Sequence, residues 1–153
     1  MRLRSLILFG FAISLMISST FVYAFTDQDK EAFRMYVQIK NLTGSSCTRK
    51  DDITIVHGYL FDTAVPYSIL NGDSKSFSMI QYYFYGPDVI ISYDCGANSI
   101  QFEVQQDYSM SNGHPPSAHV IPENTVALTM SVTDVAPSSL ELKTRGKITI
   151  VLQ

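Results

Sequence analysis

The chain has no tryptophan and only two cysteines in 153 residues, and charged side chains make up just 16% of it. So few cysteines exclude a disulfide-dense miniprotein, and eight glycines exclude a collagen-like repeat. Cations are the scarcer charge: eleven Lys and Arg stand against fourteen Asp and Glu, a net charge of −3. No basic cluster exceeds Arg49-Lys50 or the spaced Lys143, Arg145 and Lys147, so nucleic acid is not an expected partner. What the chain does have is a hydrophobic content of 46%, too high for a disordered polypeptide, with nine tyrosines and nine phenylalanines.

Part of that apolar content sits at the start. Arg2 and Arg4 precede the run Leu6 to Ile17, and Val22-Tyr23-Ala24 puts small residues at the −3 and −1 positions of a cut after Ala24. This is the pattern of a secretory signal peptide. The run is shorter than the ~20 residues needed to cross a bilayer, and it is followed by the polar stretch Asp27 to Glu31. Residues 1–24 are therefore expected to be removed, leaving 25–153 as one domain without a transmembrane segment, secreted or periplasmic. Without Arg2 and Arg4, nine cations face fourteen acids, and the net charge becomes −5. In an oxidising compartment Cys47 and Cys95 are expected to form one disulfide, with two free buried thiols as the alternative.

The rest of the chain reads in period two. Phe33, Met35, Val37 and Ile39 share one face of Phe33 to Lys40; Ile100, Phe102 and Val104 oppose Gln101, Glu103 and Gln105. Val126, Leu128, Met130 and Val132 alternate in the same way, and Lys147 to Leu152 closes the chain as a strand. Further strands are expected over Ile53 to Leu60, Tyr67 to Leu70, Ser76 to Tyr83 and Val89 to Asp94, several of them separated by glycine turns such as Asn71-Gly72-Asp73. The fold class is all-β, an antiparallel β-sandwich of about seven to nine strands, with a closed β-barrel as the alternative. Ser109 to Ala118 is the longest expected loop.

Catalytic signatures are missing from this pattern. No serine sits in a Gly-x-Ser-x-Gly elbow, no phosphate-binding glycine loop occurs, and Asp51-Asp52 lacks the spacing of a calcium loop. His57 reads as a strand histidine. His114 and His119 lie across Pro115-Pro116, outside the i, i+4 spacing of helical zinc ligands, and read as exposed loop histidines. With Asp107 or Glu123 they could form an adventitious metal site, but no cofactor and no enzymatic activity are expected. Asn41-Leu42-Thr43 matches a glycosylation sequon. The most unusual stretch is Tyr82-Tyr83-Phe84-Tyr85 before Gly86-Pro87, because four consecutive aromatics cannot all face one side of a strand. Tyrosine joins an apolar ring to a polar tip, which suits a membrane, glycan or protein interface. The alternative is a strand covered on both faces.

From Asn41 onward the order of elements resembles small exported bacterial proteins with an aegerolysin-like β-sandwich. The resemblance rests on Asn41-Leu42-Thr43-Gly44, on Ile69 to Ser74 running into Ser76 to Met79, on Gly86 to Tyr93 before Cys95, and on Gly146 to Ile150. It implies a protein that binds particular membrane lipids, in some cases acting with a partner protein to form pores. No lipid-binding residue is carried over, because the tryptophan-rich segments of that family are missing here. The expected function is thus an exported, non-enzymatic binding protein whose partner is a protein, a glycan or a membrane lipid. An aegerolysin-like lipid binder is the alternative, and a small hydrolase using His114 or His119 stands third. Tyr82, Tyr83, Phe84, Tyr85, His114 and His119 are the candidate contacts.

Overall fold

The computed structural model describes residues 34–50, 53–82, 85–107, 114–121, 128–138 and 145–153. The expected signal peptide lies outside these residues, as do Tyr83, Phe84 and Val126. The described chain is all-β and forms two sheets with no closed barrel. In the first, β10 (Met130–Ala136), β11 (Gly146–Leu152), β1 (Arg34–Asn41), β6 (Ser74–Ile80) and β4 (Tyr59–Leu60) lie side by side in that order. In the second the order is β5 (Ser68–Ile69), β2 (Cys47–Arg49), β7 (Asp88–Cys95), β8 (Asn98–Gln105) and β9 (Ser117–Val120), and β3 (Thr54–His57) also pairs with β7.

Alternation builds the core between the sheets. Met35, Val37 and Ile39 from β1, Phe77 and Met79 from β6, and Ile148 and Ile150 from β11 are fully buried. They meet Val89, Ile91 and Tyr93 of β7 and Ile100, Phe102 and Val104 of β8. Each such side chain contributes roughly 1.5 to 3 kcal/mol by leaving water. Tyr93 is tolerated inside because its hydroxyl donates to the Pro66 carbonyl at 2.6 Å, and burial pushes the phenol above its ordinary pKa. Arg34, also buried, donates to Ser78 Oγ at 2.9 Å, pairs with Asp62 and lies over the Phe61 ring.

Four features depart from the sequence reading. β1 and β11 pair in parallel, Met35 opposite Gly146 and Asn41 opposite Leu152. The expected strand over Ile53 to Leu60 breaks at Gly58, so β3 joins one sheet and β4 the other. β2 and β9 were not among the expected strands, β2 lying between the first two of them and β9 overlapping the end of the expected loop, and each is stabilised by its neighbours: β2 by β5 and β7, β9 by β8. Val132 does not point inward but is exposed, because β10 is a sheet edge with a register shift between Thr133 and Ala136. Cys47 and Cys95 stand directly opposite one another in β2 and β7 and are joined by a disulfide. Among the described residues, no helix is long and apolar enough to cross a membrane.

Candidate functional site

The site is built around the crossing at Gly58. His57 ends β3 opposite Asp88, and Tyr59 begins β4 opposite Ile80, so one residue carries the chain between sheets. That residue has φ of +90°, and a Cβ on it would lie 2.5 Å from the Ile80 carbonyl oxygen. Only glycine fits there. The two flanking rings then find separate partners. His57 stacks on Tyr85, and Tyr59 meets Tyr82 edge to face with centroids 5.3 Å apart.

Tyr82 and Tyr85 are fixed by each other's backbone. Each amide donates to the other's carbonyl, at 3.1 and 3.0 Å, in an isolated antiparallel bridge. Both rings are exposed, Tyr82 at 41% and Tyr85 at 58%, with Tyr59 at 50%. Ile55 and Val56, on the adjoining strand, are exposed as well. Of the four-aromatic run, the described residues Tyr82 and Tyr85 are exposed, and Tyr59 and His57 lie against them. Sequence reasoning missed those two because the contact depends on a sheet crossing with no period of its own.

Beside this cluster lies a cavity of about 490 Å³, lined among others by His57, Tyr85, Asp88, Gln105, Asp107 and His114. Close backbone approach shapes it: a Cβ on Gly86 would fall 1.5 Å from the Gln106 carbonyl oxygen. Gln106 is itself buried, donates through Nε2 to Ser138 Oγ at 2.6 Å, and packs its side-chain oxygen against Gly146. The cavity is therefore tied to both sheets.

A row of titratable groups runs outward from the cavity across four strands. His57 is opposite Asp88, Asp88 is diagonal to Glu103, and Glu103 is opposite His119. Glu103 Oε2 is 3.0 Å from His119 Nε2. Asp88 Oδ1 is buried without a hydrogen-bond donor. Burial raises the Asp88 carboxyl to a pKa of about 6, aided by a hydrogen bond with Glu103 and by its charge, while His57 and His119 oppose the rise.

The remaining candidates fall elsewhere. His114 lines the cavity, whereas His119 lies not in a loop but on β9, paired with Glu103, because Ser117 to Val120 add to the edge of β8. Among the described residues, no group of three or more His, Cys, Asp or Glu is disposed to hold a metal ion. The sequon asparagine is a structural residue: Asn41 is fully buried, and its Nδ2 donates to the carbonyls of Ser45 and Ile69. Its Oδ1 accepts from the Thr43 amide and hydroxyl, leaving no free amide for a glycan in the folded protein. The disulfide and Asn41 sit at the end of the sandwich opposite the tyrosines.

No protein-family model matches the chain, and no curated protein matches it in sequence. Solved structures do match. The crystal structure of the lipid binding protein Nakanori is similar, with a TM-score of 0.58 and 11% identity over 91% of this chain and 93% of that one. RahU protein, in complex with a TRIS molecule, matches with a TM-score of 0.58 and 10% identity over 80% of this chain and 95% of its own. IP-1A from Alcaligenes faecalis matches at 0.54 and 15% identity, covering 83% and 96%. At these identities the likeness is one of fold: this chain is a β-sandwich of the same architecture as the lipid binding protein Nakanori.

Proposed function

We propose that the protein is an exported, non-enzymatic β-sandwich that attaches to lipid membrane surfaces through its aromatic end, in the manner of aegerolysin-like proteins. The observation that carries this reading is the cluster of Tyr59, Tyr82 and Tyr85, exposed together and braced by His57. Exposed tyrosines clustered at one end of a sandwich match the headgroup level of a bilayer, where an apolar ring and a polar hydroxyl are both accommodated. Ile55 and Val56 add apolar surface on the neighbouring strand. The fold shared with a lipid binding protein supports the same reading. A signal peptide over residues 1–24 and the Cys47–Cys95 disulfide fit delivery to an oxidising compartment.

The test is co-flotation with vesicles of varied lipid composition. The folded protein floats with at least one composition, and the Tyr82→Ser/Tyr85→Ser variant loses about tenfold in affinity. Failure to float with any composition, or a double variant that binds as tightly as the parent, overturns the proposal.

A further inference from the structure

The row His57, Asp88, Glu103 and His119 lies on four adjacent strands and begins beneath the aromatic cluster. Its placement gives it a direct path to the contact surface. Asp88 is three residues from Tyr85, lines the same cavity, and stands opposite the imidazole on which Tyr85 rests. The groups that face Asp88 are His57 from β3, Glu103 from β8 and His119 beyond it on β9, with Asp107 and His114 sharing the cavity wall.

Two observations make the Asp88 carboxyl the sensitive member. Its Oδ1 is buried and meets no donor, so in the charged state that oxygen is unsatisfied. Its diagonal neighbour on β8 is another carboxyl, Glu103, so two like charges meet there unless one of the pair carries a proton. Protonated, Asp88 donates to Glu103, and a repulsive pair becomes a hydrogen bond.

We propose that this row is a proton-operated regulator of the aromatic end: protonation of Asp88 strengthens attachment of the Tyr59, Tyr82 and Tyr85 cluster to a lipid surface. The inference rests on the membrane reading above. When the aromatic end beds into the headgroups, a charged Asp88 beside it loses water and pays a desolvation penalty. The same charge is repelled by anionic lipid. Removing it relieves both effects without moving a tyrosine.

The test uses the folded protein and mixed vesicles of phosphatidylcholine, phosphatidylethanolamine, phosphatidylglycerol, sphingomyelin and cholesterol, at about pH 5 and about pH 7.5. The wild type binds roughly fivefold more tightly in acid. Asp88→Asn binds at the higher pH as the wild type does in acid, and its pH dependence is flattened. Glu103→Gln removes the neighbouring charge and moves the midpoint of the wild-type transition to lower pH, a readout that stands if Asp88→Asn fails to fold. Binding that is equal at both pH values, or weaker in acid, overturns the regulator while leaving the membrane reading intact. A pH dependence unchanged in both variants also overturns it. No flotation at either pH overturns the membrane reading and the regulator together.

Discussion

The imidazole of His57 lies flat against the ring of Tyr85, with centroids 4.7 Å apart and planes inclined by 7°. An exposed tyrosine would otherwise sample several rotamers; here one is held by a ring supplied from a different strand. Replacing His57 with alanine therefore removes a brace without removing a contact residue. The expected cost to the fold is about 1 kcal/mol, measured by urea denaturation, because such ring pairs contribute roughly that much beyond their area. Vesicle affinity is expected to fall about threefold, since Tyr85 must then be ordered on binding.

Gly58 is the more demanding position. With φ of +90° and a would-be Cβ 2.5 Å from a carbonyl oxygen, Gly58→Ala combines backbone strain with a clash against atoms that cannot swing away. A loss of about 2 to 4 kcal/mol is expected in denaturant melts. A loss under about 0.5 kcal/mol, the range of a neutral surface substitution, would contradict this account of the crossing.

The disulfide works at the other end. It closes a loop with a sequence separation of 48 residues. Replacing both Cys47 and Cys95 with alanine is expected to lower stability by about 3 to 4 kcal/mol on the chain-entropy argument. Thermal melts with and without reductant measure it. Because the bridge is remote from the tyrosines, variant protein that remains folded should float with vesicles as the wild type does.

Asp88 makes a signed prediction about pH. Its folded pKa, about 6, lies above the ordinary 3.8, so the native state binds the proton more tightly than the unfolded chain. The resulting stabilisation is fully present below about pH 4 and is lost as pH rises through about 6. Asp88→Asn should consequently be more stable than the wild type at neutral pH, by about 1 kcal/mol once solvent screening is allowed for. The difference should shrink toward zero near pH 4, which urea melts across a pH series would show. A wild type that gains stability between about pH 4 and 7 relative to the variant would contradict the assignment.

The long strands were legible in the sequence because their faces are chemically unlike. Ile100, Phe102 and Val104 against Gln101, Glu103 and Gln105 could only be a half-buried strand, and they are. The pairing of Cys47 with Cys95 followed from there being no other cysteine. Partner choice was not legible. Nothing in Gly146 to Leu152 distinguishes a parallel neighbour from an antiparallel one, because both use the same alternation. Short strands also escaped: Ser117 to Val120 follow two prolines and acquire their strand geometry from β8 rather than from any apolar period. For the site, the four-aromatic run pointed to Tyr82 and Tyr85. Its companions His57 and Tyr59 were hidden, since they arrive from a residue pair whose only signal was the glycine between them.

The parallel pairing of β1 with β11 also fixes the polarity of the molecule as an object to be handled. β1 enters its sheet at Arg34, beside Ile80 and the tyrosine end, and both strands leave at Asn41 and Leu152, beside the disulfide end. A fluorophore or surface tether attached beside Leu152 would sit at the disulfide end, away from Tyr82 and Tyr85. Protein immobilised in that way would present its aromatic end outward to an incoming bilayer.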